Sequence, residues 1–138
     1  MKLLLLLCIV CLCGCQKEDI KKGIGTYYTD KEEIVTVQVT IKNGRIFDVY
    51  FDETANGKEQ TKKELKDHYH LKVASKIGRE WNEQVQYLED YIKKYGIEKI
   101  RLNTDGKAEN ADVVSGCTIR IDGFLKALNE AIQNAEET

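Results

Sequence analysis

The sequence predicts an α+β domain, in which an antiparallel sheet with a central hairpin has helices packed on one of its faces. In the first half of the chain, two segments that alternate apolar and polar residues flank an Asn-Gly pair. In the second half, apolar residues recur at helical spacing. The length of 138 residues suits one domain, and the absence of proline from the sequence favours regular elements.

The first residues differ in kind from the rest of the chain. One lysine precedes an apolar run at residues 3–12, and small residues follow it. The run is short for a membrane-spanning helix, which needs roughly 20 apolar residues. A buried core helix is the alternative, but the polar residues after Cys15 give it no continuation. The pattern indicates a secretory signal, and its ending at residues 12–15, Leu-Cys-Gly-Cys, resembles the lipobox of bacterial lipoproteins.

The lipobox resemblance implies cleavage before Cys15 and a diacylglyceryl group on its sulfur. Stable anchoring needs more than one acyl chain, which that group supplies. The predicted organisation is a signal peptide at 1–14, a lipidated tether at 15–22 and a domain at 23–138; a frayed first strand is the alternative for the tether. Within the mature domain Cys117 then has no second free cysteine to pair with, so no intramolecular disulfide framework is possible.

The first half of the domain carries the strand signals. Residues 23–28 are β-prone, and their Gly-x-Gly lacks the helix-opening pattern of a dinucleotide site. Ile34 to Ile41 alternates, and Arg45 to Asp52 alternates again with Phe47, Val49 and Phe51 on one face. Asn43-Gly44 lies between them, and such a pair favours a two-residue turn because both residues must take a positive φ. A hairpin from Ile34 to Asp52 is therefore predicted at the centre of the sheet.

Three later segments have helical periodicity. They run from Thr61 to Ile77, from Glu80 to Tyr95 and from about Asp122 to Ala135. Gly96 occupies the position of a helix C-cap. Ile97 to Leu102 is expected to form a short strand, and Asp105-Gly106 a turn. The charged run from Lys58 to Asp67 is predicted to be a solvated helix face.

Several function classes lack support in the sequence. The charges nearly balance, with 21 Lys and Arg against 23 Asp and Glu, and no basic patch indicates nucleic acid. His68 and His70 lie two residues apart in a predicted helix and would not share a face, so no metal site is predicted. Cys117 has no histidine near it in sequence, and a buried, inert thiol is the favoured interpretation.

The segment at residues 112–118, Asp-Val-Val-Ser-Gly-Cys-Thr, carries the clearest chemical signal. It places two hydroxyls and a glycine just before a predicted helix, where N–H groups and the helix dipole favour an anion such as phosphate. An ordinary strand-to-helix loop, with Ser115 or Thr118 as a local cap, is the alternative that the residues alone favour.

This segment resembles the Asp-x-x-Ser/Thr-Gly-Ala-Thr motif of the FMN-binding domain family. That family includes flavin subunits of sodium-pumping NADH:quinone oxidoreductase and of the Rnf complex, and surface lipoproteins of extracellular electron transfer. Gly25-Thr26-Tyr27 is similar to the opening strand of the family, and the hairpin around Asn43-Gly44 and the closing helix are similar to theirs. The resemblance covers most of residues 23–135.

In flavinylated members of the family, a flavin transferase uses FAD to link FMN to the motif threonine by a phosphoester. The resemblance implies that Thr118 is the acceptor, with Asp112, Ser115 and Gly116 at the other defined positions. Cys117 stands where the family has alanine, and it is small enough to keep the backbone path. Three aromatic residues are candidates for the walls of a flavin ring site, although each can equally belong to the core: Tyr27, Tyr50 and Trp81.

The resulting expectation is a membrane-anchored lipoprotein that carries FMN for extracytoplasmic electron transfer. It would act as a redox carrier rather than as an enzyme with its own substrate, and no catalytic residue is predicted. Expected partners are the membrane, redox proteins and a flavin transferase, at the extracytoplasmic face of the cell membrane or outer membrane. The alternative is a flavin-free ligand-binding or surface-antigen lipoprotein on the same fold.

Overall fold

The computed structural model describes residues 17–55, 57 and 59–138; the predicted signal, Cys15 and Lys58, the first residue of the charged run, lie outside these residues. Three strands form one antiparallel sheet in the order β1-β2-β3. They are β1 (Ile20–Tyr28), β2 (Ile34–Lys42) and β3 (Arg45–Glu53). The helices are α1 (Lys62–Leu65), α2 (Leu71–Ala74), α3 (Trp81–Tyr95), α4 (Ala111–Val114) and α5 (Asp122–Glu136), with short 3₁₀ turns at Lys66–Tyr69 and Ile97–Lys99.

The core lies between the sheet and the two long helices. Helix α5 packs on β1 and β2, and α3 packs on β3. The alternation of β2 places four residues in this core, as predicted: Val35, Val37, Val39 and Ile41. Glycines in β1 bring the helix very close, because a Cβ on Gly25 would overlap the backbone of Ala127. The α+β class and the antiparallel sheet are confirmed.

The inward face predicted for β3 is wrong at Phe47. Thr40 pairs with Asp48 and Ile41 with Ile46, so β3 carries one extra residue at this point. At such a β-bulge, the extra residue turns its side chain away from the core and toward the solvent. Phe47 is therefore 62% exposed, while Val49 and Phe51 are buried as predicted.

Strand β1 begins before the predicted start of the domain. Ile20, Lys21 and Lys22 pair with the end of β2, so the tether predicted for 15–22 is wrong for these three residues. The alternative of a first strand is correct for them. Strand β1 needs only backbone partners for pairing, and its outer face tolerates polar residues.

The single helix predicted from Thr61 to Ile77 is also wrong. Positive φ angles at Lys66 (48°) and His70 (60°) divide the segment into α1, a 3₁₀ turn and α2. Val73, expected on an apolar stripe, is 92% exposed. Tertiary contacts hold these turns, for example the Leu71 N–H that donates to Glu80 Oε2 at 2.9 Å.

The other long helices are confirmed. Gly96 ends α3 with a φ of 85°, and α5 occupies the predicted closing segment. The short strand predicted for Ile97 to Leu102 is wrong, since a 3₁₀ turn forms there and Leu102 makes one isolated bridge to Ala108. The turn at Gly106 is present, with a φ of 73°. Among the described helices, none combines the length and apolar character that crossing a membrane requires.

Candidate functional site

Helix α3 holds the segment at 112–118 with three side chains from one helix face: Gln84, Tyr87 and Tyr91. The Tyr91 hydroxyl donates to Asp112 Oδ2 at 2.8 Å. The Tyr87 hydroxyl donates to the Asp112 carbonyl oxygen at 2.6 Å and lies 3.1 Å from Ser115 Oγ. The start of the segment is thereby fixed to the helix.

The two residues before Thr118 pack inward. A Cβ on Gly116 would overlap the Tyr87 ring, so glycine is required for the backbone to lie against that ring. The Cys117 side chain lies in the core, 1% exposed, and burial raises its pKa to about 12. The prediction that Cys117 is buried is confirmed, and a raised pKa favours the protonated thiol, which is the less reactive form.

Gln84 fixes the position of Thr118. The Thr118 N–H donates to Gln84 Oε1 at 2.8 Å, and the Thr118 hydroxyl donates to the same oxygen at 3.2 Å. Gln84 is fully buried, and its Nε2 donates to Ser75 Oγ and to the Arg79 carbonyl oxygen, each at 3.1 Å. Since every polar atom of this buried amide has a partner, Thr118 is held in one place.

Thr118 lies on the wall of a cavity of about 330 Å³, here called the threonine cavity. Lys76, Lys107 and Asn103 line the same cavity. Two ammonium groups and an amide are suitable partners for a phosphate. The threonine cavity therefore brings a hydroxyl together with the side chains that an anion needs.

The anion site expected at the N-terminus of the last helix is not formed by Thr118. The Ile121 and Asp122 N–H groups at the start of α5 both donate to the Gly106 carbonyl oxygen, at 2.8 and 3.1 Å. No side chain caps α5, so the interpretation of Ser115 or Thr118 as a cap of the last helix is wrong; Ser115 is instead the C-cap residue of α4. Thr118 bonds to α3 instead, and side chains rather than the α5 dipole surround it.

A second cavity of about 260 Å³, here called the aromatic cavity, adjoins the first. Leu71 and Ile119 line both cavities. Four aromatic residues form much of its wall: Tyr27, Tyr69, Trp81 and Phe124. The aromatic candidates Tyr27 and Trp81 are thus brought together here. Tyr50 is not, because it lies on the open face of β3, 41% exposed, with the Lys63 ammonium over its ring.

A buried ion cluster, which the sequence did not predict, also lines the aromatic cavity. Lys62 Nζ lies 2.9 Å from Glu33 Oε2 and 3.1 Å from Glu53 Oε2. Lys62 is 5% exposed and Glu33 6%. The solvated face predicted for Lys58 to Asp67 is therefore wrong at Lys62. Its partners lie just before β2 and at the end of β3, and only the folded sheet brings those together.

The two carboxyls of this cluster differ in acidity. Burial, together with the hydrogen bond to Glu33, raises the pKa of Glu53 to about 7. Burial acts in the same direction on Glu33, but hydrogen bonds with Glu53 and Lys62 outweigh it and lower its pKa. The attraction of Glu53 likewise outweighs burial and raises the pKa of Lys62. The cluster therefore loses one proton as the pH rises through about 7.

His68 and His70 are both exposed, and their ring centroids lie 6.4 Å apart. Within residues 17–138, apart from 56 and 58, no group of three or more His, Cys, Asp or Glu side chains is placed to hold a metal ion.

The sequence model of the FMN-binding domain family matches residues 31–133, which include β2, β3, the ion cluster and the motif. The chain belongs to the FMN-binding domain family, and FMN is its cofactor. A solution NMR structure from Clostridium thermocellum, a structural genomics target, is similar over 88% of this chain and 91% of that chain, at 20% identity and a TM-score of 0.49. No curated protein sequence matches the chain.

The two cavities fit this cofactor. Thr118, Lys76 and Lys107, which line the threonine cavity, are residue types that suit its phosphate. A flat, amphipathic ring needs apolar walls with a few polar groups, and Tyr27 and Trp81 belong to such walls. The observation most specific to this site is that Gln84 places a threonine hydroxyl on a cavity wall beside two lysines.

Proposed function

We propose that this protein is a membrane-anchored lipoprotein that carries FMN covalently on Thr118 and transfers electrons outside the cytoplasm. The observation that carries the covalent link is the Thr118 hydroxyl, which Gln84 holds on the wall of the threonine cavity. The signal pattern and Cys15 support the anchor. Bound FMN supplies electron-transfer chemistry, and the protein supplies its position and surroundings.

The attachment is a phosphoester between Thr118 Oγ1 and the phosphorus of FMN. With FAD as donor, this bond forms while the pyrophosphate bond of FAD breaks, and AMP leaves with the proton of the hydroxyl. The oxidation states do not change. A covalent bond suits an extracytoplasmic carrier, because a dissociated cofactor would be lost to the medium.

The residues around Thr118 suit it as the acceptor of the flavin phosphate. Its hydroxyl donates to Gln84, and among the described residues no N–H or O–H donates to its oxygen, so the oxygen lone pairs remain available. Lys76 and Lys107 attract the phosphate charge. The aromatic cavity next to it offers the walls for the ring.

The expected partners are a flavin transferase and redox proteins, and the expected location is the extracytoplasmic face of a cell membrane or outer membrane. The expected role is that of a redox carrier rather than of an enzyme with its own substrate. Cys117, the one departure from the family motif, lies in the core and away from the cavity wall. This departure therefore does not favour a flavin-free function.

Thr118→Val is expected to abolish flavin attachment. The exported domain is co-expressed with a flavin transferase, and the tryptic peptide 108–120 is weighed by mass spectrometry. The wild-type peptide should gain FMN with loss of one water, and the valine variant should gain nothing. The fold should survive, because valine keeps the shape of threonine and its backbone N–H still bonds to Gln84.

Cys117→Ala is the matched control for this experiment. It restores the residue of the family and changes a side chain that faces the core, so the adduct should remain. If neither the wild type nor this control is modified by a transferase that modifies a known substrate, the covalent hypothesis is wrong. An adduct on the valine variant would instead place the flavin on another residue.

A further inference from the structure

The chain is fixed to the sheet almost immediately after the proposed lipid anchor. The Asn43 N–H donates to the Asp19 carbonyl oxygen at 2.8 Å, and the Asp19 N–H donates to Asn43 Oδ1 at 3.2 Å. Lys42 Nζ lies 2.7 Å from Glu18 Oε1. Two residues separate Glu18 from Cys15. The anchor is therefore joined directly to the turn between β2 and β3, here called the hairpin tip (residues 42–45).

The length of this connection limits where the domain lies. Three Cα-to-Cα steps span at most about 11 Å, so the lipid-bearing residue stays within that distance of Glu18. By contrast, β2 with nine residues is about 30 Å long. A connection so much shorter than the domain keeps the hairpin tip close to the bilayer.

The side chains at this end suit a lipid surface. Ile20 is 52% exposed and Phe47 is 62% exposed. The Lys42 ammonium lies 5.5 Å from the centroid of the Phe47 ring, and Arg45 is exposed beside it. Lysine and arginine keep their charge among headgroups while their stems cover apolar surface. The opposing charges at this end are Glu18, which is paired with Lys42, the exposed Asp19, and Asp48, which lies 3.9 Å from the Lys93 ammonium.

The aromatic cavity lies at the other end of the sheet. Its lining includes Tyr27, Glu33 and Glu53, at the end of β1, just before β2 and at the end of β3. Eight residue steps along β2, from Lys42 to Ile34, cover about 27 Å.

We propose that the anchored domain docks on the phospholipid surface through the hairpin tip, Ile20 and Phe47, and presents the aromatic cavity to the aqueous side. This orientation rests on the lipid anchor of the proposed function. A partner that exchanges electrons at the cavity then reaches it from water, as a soluble or extended protein domain, rather than from within the bilayer.

The test compares two single substitutions of exposed residues, Arg45→Cys at the start of β3 in the hairpin tip and Lys31→Cys in the turn beside the cavity. The mature lipidated protein, from which the signal with Cys8, Cys11 and Cys13 has been cleaved, is labelled with a fluorescent maleimide and reconstituted into vesicles of phosphatidylethanolamine and phosphatidylglycerol that carry a nitroxide headgroup. The thiol of Cys15 is blocked by its lipid, and Cys117 is 1% exposed, so labelling is confined to the new cysteine. Quenching should be several-fold stronger at position 45 than at position 31.

Equal quenching at the two positions, or stronger quenching at position 31, would overturn the orientation. Phe47→Ser should reduce quenching at position 45 while the protein still floats with the vesicles. Flotation with the vesicles measures the lipid anchor alone, whereas quenching measures the orientation of the domain. Protein from the native envelope that carries no lipid overturns the anchor and the docking together, whereas protein that floats with equal quenching overturns the docking alone.

Discussion

Lys62→Met is expected to destabilise the domain by about 3–5 kcal/mol at pH 8. Methionine keeps most of the length of the side chain but removes the one ammonium group that contacts both Glu33 and Glu53. Two carboxylates then share a site that is largely closed to water. Urea denaturation measures the loss, and Lys72→Met, on an exposed residue of α2, is the matched control with an expected change within about 0.5 kcal/mol.

The loss should shrink at pH 5, because protonation removes charge from the cluster. In the wild type, the pKa of Glu53 is about 7, above its usual value of 4.5. The folded state therefore binds this proton more tightly than the unfolded state, so the contribution of Glu53 to stability is complete below about pH 4.5 and is lost as the pH rises through 7. Glu53→Gln should consequently raise stability over the wild type at pH 8 but not at pH 5. A Lys62→Met variant as stable as the Lys72 control at pH 8 would contradict this account of the cluster.

Gly25→Val is expected to destabilise the domain by about 3 kcal/mol or more, at the upper end of the cost of overpacking. A Cβ at this position would overlap the carbonyl oxygen of Ala127 and lie 2.6 Å from the backbone nitrogen of Ala131. Since both groups belong to the backbone of α5, the helix has to move away from β1 as a whole. Glycine is required here for close packing rather than for a special φ angle.

Thr26→Val is the matched control for Gly25→Val. It introduces the same side chain into the next residue of β1, which is exposed on the opposite face of the strand. The Thr26 N–H keeps its hydrogen bond to Glu130, so its melting temperature should stay close to that of the wild type. Similar melting temperatures for the two variants would show that the contact between β1 and α5 is looser than described.

The parts of the fold that local chemistry determines could be predicted from the sequence. The alternation before Asn43-Gly44 defines β2 and the turn, and the apolar spacing defines α3 and α5. Alternation could not reveal the bulge at Phe47, because Ile46 and Phe47 are both apolar. The sequence therefore alternates evenly through Phe47 and Val49, whereas in the structure it is Ile46 that packs against the core. The division of the segment after Thr61 depends on tertiary contacts of Lys62 and Leu71.

The sequence singled out the motif segment of the candidate site, but not the α3 side chains that hold this segment in place. The segment at 112–118 can be recognised from its own residues, whereas the residues that hold it lie 21 to 34 positions earlier. Gln84, Tyr87 and Tyr91 share one face of α3 at a spacing of three and four residues, and this set of polar groups on a helix was a signal that the sequence offered. The ion cluster offered none, since Glu33 and Lys62 meet only in the folded sheet.

Denaturation of the protein purified from its native envelope tests the covalent link to Thr118 most directly. We predict that the flavin absorbance stays with the polypeptide after acid precipitation, and that peptide 108–120 carries the mass of FMN, less one water, on Thr118. Flavin released entirely into the supernatant, together with an unmodified peptide 108–120, would contradict the covalent attachment and leave FMN as a dissociable cofactor.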